Sequence, residues 1–361
     1  MKIAVYAIAK NEEKFVKRWF DSMKEADEIF VCDTGSTDNT VSELEHLGVK
    51  VKSINIEPWR FDEARNASLD FVEDDFDICV CTDLDEVFSK GWRRELEKHW
   101  NDNATRASYN YIWSFDEKGK PKTTFNIEKI HLRHGFRWVH PVHEVLHYSG
   151  EKRDSTVIID TITLSHYPDK EKSRAQYLPL LELSVKEDPE DDRNMHYLGR
   201  EYMNKNEYVK AIKTLKRHLK LKSALWKDER CASMRYIARC YQSLGNITEA
   251  YRWYMRSVAE APHLREPYIE TALLASDISN WQLCIFCVNE ALKIKTKPIS
   301  YINEYYCWDS TPYDLLSVAY YNTEQYELAR KYAYLAYSMD KENERIINNI
   351  KLINEKIKKP E

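Results

Sequence analysis

Glycine and proline are scarce in this 361-residue chain, with 8 and 11 respectively, which leaves little material for long disordered linkers. A surplus of positive charge is also missing: 54 Lys and Arg against 59 Asp and Glu give a net charge of −5. That balance excludes generic attraction to nucleic acid or to an anionic membrane surface. No apolar run approaches the ~20 residues that a membrane-spanning helix needs. The apolar part of the opening "MKIAVYAIAKNEE" is too short for a signal-peptide core and reads as a buried strand. Cysteines stand at 32, 79, 81, 231, 240, 284, 287 and 307, mostly inside apolar segments. Cys284 and Cys287 form a CxxC, but no second pair follows at zinc-knuckle spacing. Buried, reduced thiols in a cytoplasmic protein are the expectation. What remains, 43% hydrophobic and 31% charged, is a globular mixture long enough for about two domains.

The two halves follow different patterns. Up to about residue 165, buried strands ("KIAVYAIA", "EIFVCD", "VKVKSINI", "DICVCT") alternate with helical segments in which Phe15, Trp19 and Met23 fall on one face. This alternation predicts an α/β domain whose mostly parallel sheet is flanked by helices. Ligands in such sheets bind beyond the carboxyl ends of the strands, and here those ends read "AKNEE", "DTGSTD" and "DLDE".

After residue 190 the pattern is helical and repeats. Aligning "NEYVKA", "NITEA", "NWQLC" and "EQYELA" puts Tyr208, Ile247, Trp281 and Tyr326 in register, at spacings of 39, 34 and 45 residues. Nine residues before each register position stand Gly199, Ala238, Ala272 and Ser317; three after stand Ala211, Ala250, Cys284 and Ala329. Small residues recur where paired helices approach closely. The block resembles four degenerate tetratricopeptide repeats with inserted loops near 222–230 and 297–311. The expected organisation is an α/β domain over 1–170, a connecting helix over 171–190 and an all-α repeat domain over 191–361.

"CTDLDEVF" sets Asp83 and Asp85 two residues apart after a buried strand. In an extended segment both carboxylates would point the same way and reach one hard divalent cation; a solvated acidic turn is the plainer reading. "CDTGSTDNT" offers Asp33 and Asp38 with hydroxyls for a base or ribose, or an ordinary turn capping the next helix. Arg65, in "FDEARNASLD", is placed to pair with Asp33 or a diphosphate, or to lie on a solvated helix face.

Taken in order, "IAKNEE", "VCDTGSTDNT", "EARN" and "TDLDE" resemble the successive motifs of family 2 glycosyltransferases with the GT-A nucleotide-sugar fold, over roughly residues 1–170. Together with "LSHYP" and the repeat-like tail they are similar to a bacterial branch that includes peptide S-glycosyltransferases and surface-glycan transferases. The resemblance implies inverting transfer of a sugar from a nucleoside diphosphate, UDP foremost, to a protein, peptide or glycan acceptor. It implies that Asp33 and Arg65 hold the nucleotide and that Ala9, Asn11 and Glu12 line the base and ribose pocket. Asp83 and Asp85 would be the Asp-x-Asp pair, with Asp85 the stronger ligand for Mn²⁺ or Mg²⁺ and His166 a further one. Thr34 departs from the pattern, standing where many relatives carry a second Asp. The repeats would bind the acceptor or a second subunit.

"HEVLH" at 143–147 competes with this reading, because His143 and His147 with Glu144 between them match a zinc-peptidase pattern. That pattern needs a helix to set both histidines on one face and a third ligand, and Arg153 stands where the longer motif has one. In the transferase reading "HPVHE" lies in a loop or strand, Glu144 takes the acceptor's proton, and His143 orients it or contacts a phosphate. Lys170 and Lys172 are candidate phosphate contacts. A nucleotidyltransferase of similar fold and a non-catalytic repeat scaffold complete the alternatives; the first usually opens with a glycine-rich basic loop, unlike "IAKNEEKF", and the second has no need of the intact acidic pair.

Overall fold

A computed structural model of the chain describes residues 1–169 and 176–358. Lys170, Lys172 and the opening part of the expected connecting helix lie outside the described residues. The chain divides into two compact units, Met1–Glu187 with Ile299–Tyr301, and Asp188–Pro298 with Ile302–Glu361.

In the first unit β1 (Ile3–Ala9), α1 (Glu13–Met23), β2 (Glu28–Asp33), α2 (Thr40–His46), β3 (Lys50–Ser53), α3 (Phe61–Phe71) and β4 (Ile78–Thr82) alternate as the sequence pattern predicts. The short β5 (Glu86–Phe88) and α4 (Trp92–His99) follow, then the long strands β6 (Arg106–Phe115) and β7 (Pro121–Leu132). A hairpin of β8 (Phe136–Val139) and β9 (Val145–Tyr148) precedes β10 (Thr156–His166), and α5 (Tyr177–Glu187) closes the unit. Among the described residues the main sheet has the order β3-β2-β1-β4-β7-β6-β10-β5. β3, β2, β1 and β4 run parallel, β7 is antiparallel to both β4 and β6, and β10 is parallel to β6. The sheet is therefore mixed, with its parallel half where strands and helices alternate in sequence.

The period of two in β1 decides which layer each side chain joins. Ile3, Val5 and Ala7 pack with Phe15, Trp19 and Met23 of α1, while Ala4 and Tyr6 pack with Leu69 of α3 and with Phe136 and Trp138 of β8. Burying one such large apolar side chain is worth about 1.5–3 kcal/mol, so both faces of the strand are fixed.

The second unit is built of helix pairs: α6 (Asp192–Asn204) with α7 (Tyr208–His218), α8 (Lys227–Ser243) with α9 (Ile247–Glu260), α10 (Glu266–Asp277) with α11 (Trp281–Lys293), and α12 (Thr311–Asn322) with α13 (Tyr326–Met339). α14 (Glu344–Lys358) packs on α13 through Ile353 beside Ala329 and Ala333. The four register residues Tyr208, Ile247, Trp281 and Tyr326 are each the first residue of the second helix of a pair, and all eight small positions are buried. The repeat extends to the backbone. Two residues before each register position, Asn206, Gly245, Ser279 and Glu324 adopt φ of 62°, 75°, 57° and 60°. The next amide, that of Glu207, Asn246, Asn280 or Gln325, donates to the carbonyl of Tyr202, Tyr241, Ala275 or Tyr320 at 2.7–2.9 Å. This is a left-handed helix C-terminus repeated four times. No helix among the described residues is long and apolar enough to cross a membrane.

Candidate active site

The carboxyl ends of β1 and β2 are laced together by their loops. The Ala9 carbonyl accepts from the Thr34 amide and hydroxyl at 2.9 and 3.0 Å, and the Asn11 carboxamide oxygen accepts from the Thr37 amide at 2.7 Å. The Asn11 amide donates to Ser36 Oγ at 2.9 Å and the Glu12 amide to Thr40 Oγ1 at 2.8 Å. Buried Asp33 accepts from the Gly35 and Ser36 amides at 3.0 and 3.1 Å. Asn11 itself is held at φ 55°, a conformation that strains a non-glycine residue and collects at functional sites.

Arg65 does not meet Asp33, contrary to one sequence expectation; Asp33 is occupied by its own turn. Arg65 points from α3 beneath the end of β4, where it is 5% exposed. Its Nη2 lies 2.9 Å from Asp83 Oδ1, its Nε donates to Glu144 Oε1, and its Nη1 donates to Cys81 Sγ at 3.4 Å. The Trp138 ring lies 5.3 Å from the guanidinium carbon, and Asn66, one residue on, clamps the Trp138 backbone with two hydrogen bonds of 2.9 Å. α3 thus draws β8 and the following loop against the end of β4. In that loop His140 and His143 have φ of 79° and 52°, and the His143 ring lies edge-on to Tyr177 at 5.9 Å.

Lys129 completes a network around Asp83, with Nζ 3.3 Å from Asp83 Oδ2 and 3.1 Å from Glu86 Oε1, where Tyr111 also donates at 2.7 Å. Burial pushes the Asp83 carboxyl up, but the charges of Arg65 and Lys129 outweigh it and hold the group well below the usual carboxylate range. Fully buried Glu86 goes the other way: burial and the Asp83 charge raise it against the pull of Lys129.

Asp83 and Asp85 do not lie side by side in an extended run. Residues 83–85 form a turn with Leu84 buried in the core, closed by the Glu86 amide donating to the Asp83 carbonyl at 3.0 Å. Asp85 therefore faces away from the Arg65 network and meets His166 at the end of β10, with Oδ2 3.2 Å from Nε2. His166 Nδ1 is 3.0 Å from the Trp113 carbonyl, and its ring stacks on Trp113 at 4.4 Å and 19°. A carbonyl only accepts, so Nδ1 carries the hydrogen, and in a neutral imidazole the Nε2 lone pair faces the carboxylate. Two electron-rich atoms at that distance require a proton or a cation between them. Burial lowers the His166 pKa, yet the Asp85 hydrogen bond and charge outweigh it and raise it.

The helix required by "HEVLH" is absent. Val145–Tyr148 is a strand paired antiparallel with Phe136–Val139, His147 opposite Arg137 and Leu146 opposite Trp138. His147 is exposed on that strand, so the two histidines share no helical face, and the zinc-peptidase alternative fails on geometry. Lys129, Glu86, Tyr111, Trp113 and Trp138 carried no role in the sequence reading. A signal existed for Lys129: it falls in phase with Phe125 and Ile127 along alternating β7, which places a cation on the inward face.

Residues 5–157 match the family model described as "Glycosyl transferase family 2". An uncharacterized glycosyltransferase of Rickettsia bellii (strain RML369-C) is 35% identical over 98 residues, covering 27% of this chain and 32% of that protein. A second, from Rickettsia conorii (strain ATCC VR-613 / Malish 7), is 36% identical over 98 residues, covering 27% and 33%. The chain spans about a third of the length of these curated relatives. Among solved structures, the crystal structure of MamA gives a TM-score of 0.39 at 17% identity, over 48% of this chain and 96% of that one. The APC/C hetero-tetramer Cut9–Hcn1 gives 0.41 at 18%, over 51% and 33%. Likeness at these scores adds nothing to the repeat architecture, which rests on the chain's own helix pairs.

Proposed function

We infer, from the match of residues 5–157 to the glycosyl transferase family 2 model, an enzyme that moves a sugar from a nucleoside diphosphate, UDP in the first instance, onto a protein, peptide or glycan acceptor with inversion. The observation that carries this reading is the arrangement at the end of β4 and β10: Asp85 Oδ2 and His166 Nε2 face each other at 3.2 Å, with Nδ1 of the imidazole fixed by the Trp113 carbonyl. A histidine that donates its other ring hydrogen to a carbonyl is the usual state of a metal-bound imidazole, and a mixed nitrogen and oxygen donor set suits Mn²⁺ better than Mg²⁺. Asp85 and His166 would hold the ion, while Asp83, on the other side of the turn, is matched by Arg65 and Lys129. When bound, the ion supplies Lewis-acid neutralisation of charge growing on the leaving diphosphate.

Asn11, Glu12 and the amide-rich turn around Asp33 form the nucleotide pocket beside Ala9. Glu144 is anchored through Oε1 to Arg65 and takes the acceptor's hydroxyl or thiol proton on Oε2. The acceptor atom bonds to the anomeric carbon as the carbon–oxygen bond to the diphosphate breaks, the electron pair leaving with the diphosphate. The strained backbone at His140 and His143 sets the loop that presents Glu144. The helical repeats serve the acceptor or a second copy of the chain, as such arrays commonly do. Eight free, buried cysteines support a reducing, cytoplasmic setting.

The test is a thermal-shift and hydrolysis screen of nucleoside diphosphate sugars with and without Mn²⁺. UDP-sugar stabilisation that needs the ion in the native chain and is lost in Asp85→Ala is the expected result. Unchanged metal-dependent turnover in Asp85→Ala would defeat the assignment. Glu144→Gln should stop transfer while nucleotide binding survives; loss of both would make Glu144 structural.

A further inference from the structure

A second, wholly separate group of metal-ligating atoms lies inside the helical unit. His196 of α6 and His218 at the end of α7 are fully buried, and Glu229 of α8 is 4% exposed. One ligand atom from each lies within 4.8 Å of the others. His218 Nε2 and Glu229 Oε1 are 3.3 Å apart, the edge length of a tetrahedron about a cation with bonds of about 2 Å. Between the two rings sits Ser233, one helical turn beyond Glu229 and itself fully buried, with Oγ 2.8 Å from His196 Nδ1 and 2.9 Å from His218 Nδ1. Among the described residues neither buried Nε2 has a hydrogen-bond partner, that of His218 having only the Glu229 carboxylate as an ion-pair neighbour.

The serine decides what those atoms require. Its oxygen has two lone pairs and one hydrogen. If Ser233 relays a proton, His196 Nδ1–H donates to Oγ, the hydroxyl donates to His218 Nδ1, and His218 Nε2–H points at Glu229. His196 Nε2 is then left as a bare lone pair in a dry interior, which costs free energy. If Oγ instead accepts from both Nδ1–H groups, both imidazoles are neutral and each keeps a bare Nε2 lone pair, that of His218 standing 3.3 Å from Glu229 Oε1. One divalent cation then satisfies all three donors. The serine does for both rings what an outer partner does at metal centres: it fixes the tautomer and the ring plane.

We propose that His196, His218 and Glu229 bind Zn²⁺ as three protein ligands, oriented by Ser233, which pins α6, α7 and α8 to one another and leaves the fourth position to a solvent oxygen. Two imidazoles and one carboxylate select zinc over Mg²⁺ or Ca²⁺. The nearby buried cation Arg235 is already matched by Glu270, so the site does not compete with an unpaired guanidinium. Ligands drawn from three successive helices make the ion a staple of the first helix pair to the second, loaded as the unit folds.

The measurement is metal content and stability of the full chain. To keep the ion of the catalytic unit out of the count, the native chain is compared with Asp85→Ala. Both should carry one equivalent of zinc after purification without chelator. Chelation should lower the melting temperature of both, and zinc should restore it. Cobalt added to the stripped Asp85→Ala chain should give the visible absorption of a tetrahedral site. His196→Asn and Glu229→Gln should lose the tightly held equivalent while circular dichroism reports the helical content. Zinc retained at one equivalent in folded His196→Asn overturns the site. So does a native chain that is zinc-free as purified and neither gains stability with zinc nor colours with cobalt; the four residues are then a hydrogen-bond chain only.

Discussion

Arg65 is the residue on which the catalytic unit turns, because one planar fork serves two carboxylates from distant parts of the chain. Its Nη2 meets Asp83 after β4 and its Nε meets Glu144 after β8. A lysine at the same position keeps the charge but offers a single ammonium to two diverging partners. Arg65→Lys should therefore lower stability by about 2–4 kcal/mol, since a buried carboxylate loses its partner, and should weaken transfer more than nucleotide binding. Chemical denaturation and donor titration check the two halves; a variant as stable as the native chain would remove Arg65 from the centre of the network. His166 carries a pH prediction. Its pKa is raised above the ordinary 6.5, against burial, by the hydrogen bond and charge of Asp85. In the metal-free protein the ion pair stabilises the fold below the unfolded pKa and is lost as pH rises through the folded value. Metal binding has the opposite sign: Mn²⁺ must displace the proton, so its affinity should fall about tenfold per pH unit below the folded pKa. Calorimetric Mn²⁺ titrations across that range should lose the slope in His166→Asn.

At the scale of elements, the helical repeats were legible because small side chains are obligatory where helices touch. A Cβ added at Gly199 would sit 2.5 Å from Cδ2 and Cγ of Leu215. Leu215 is fully buried, so its side chain must shift within a packed interior. Gly199→Ala should cost about 1–2 kcal/mol of overpacking after its gain in helix propensity, and Leu215→Val in the same chain should recover part of it. The left-handed turns were not legible, since only Gly245 of the four turn residues is a glycine. Ser279 and Glu324 hold φ of 57° and 60° at exposed positions, paying a conformational penalty of about 1–2 kcal/mol. Ser279→Gly and Glu324→Gly should each raise stability by up to about 1 kcal/mol once the added freedom of the unfolded chain is counted. Thermal melts that fall for both would mean those side chains hold contacts that offset the strain. In the catalytic unit the motif-bearing ends of β1, β2 and β4 were legible because the apolar strands before them are local. Trp138 was not, because it reaches the site only through the β8–β9 hairpin; Lys129 was legible as an inward-facing cation but not as a neighbour of Asp83, because that contact depends on the antiparallel insertion of β7 beside β4. The same hairpin explains why "HEVLH" misleads: Leu146 faces buried Trp138 while His147 faces solvent, a strand alternation that a helical motif of three residues cannot reveal.

For the whole molecule, buried histidines set the response to acid. His131, at the core of the catalytic unit, donates Nδ1–H to the Leu132 carbonyl at 2.7 Å, which leaves Nε2 to accept from Tyr6 at 2.8 Å; Tyr6 in turn accepts from Trp138 Nε1–H at 2.8 Å. The Tyr6 link requires a neutral imidazole, because a protonated Nε2 has no lone pair to accept the phenol hydrogen. Burial pushes His131 down to about 3. The folded pKa is depressed, so the stabilisation is complete above the unfolded value near 6.5 and drains as pH falls toward 3, because unfolding releases a group that takes up a proton. Each unit of pH across that window removes about 1.4 kcal/mol per histidine. Glu270, held between Arg235 and Arg239, is lowered against its burial to about 2, so its contribution survives until the pH falls below 4.5 and is lost through 2. His166 and Glu86, both raised, run the other way and soften the slope without changing its origin. Melting temperatures should therefore begin to fall between pH 6.5 and 5, before carboxylates titrate. His131→Gln, which keeps a donor and an acceptor but cannot ionise, should flatten that early fall in the catalytic unit while leaving the later loss below pH 4.5. An unchanged early slope in His131→Gln would show that the proton taken up on unfolding belongs elsewhere.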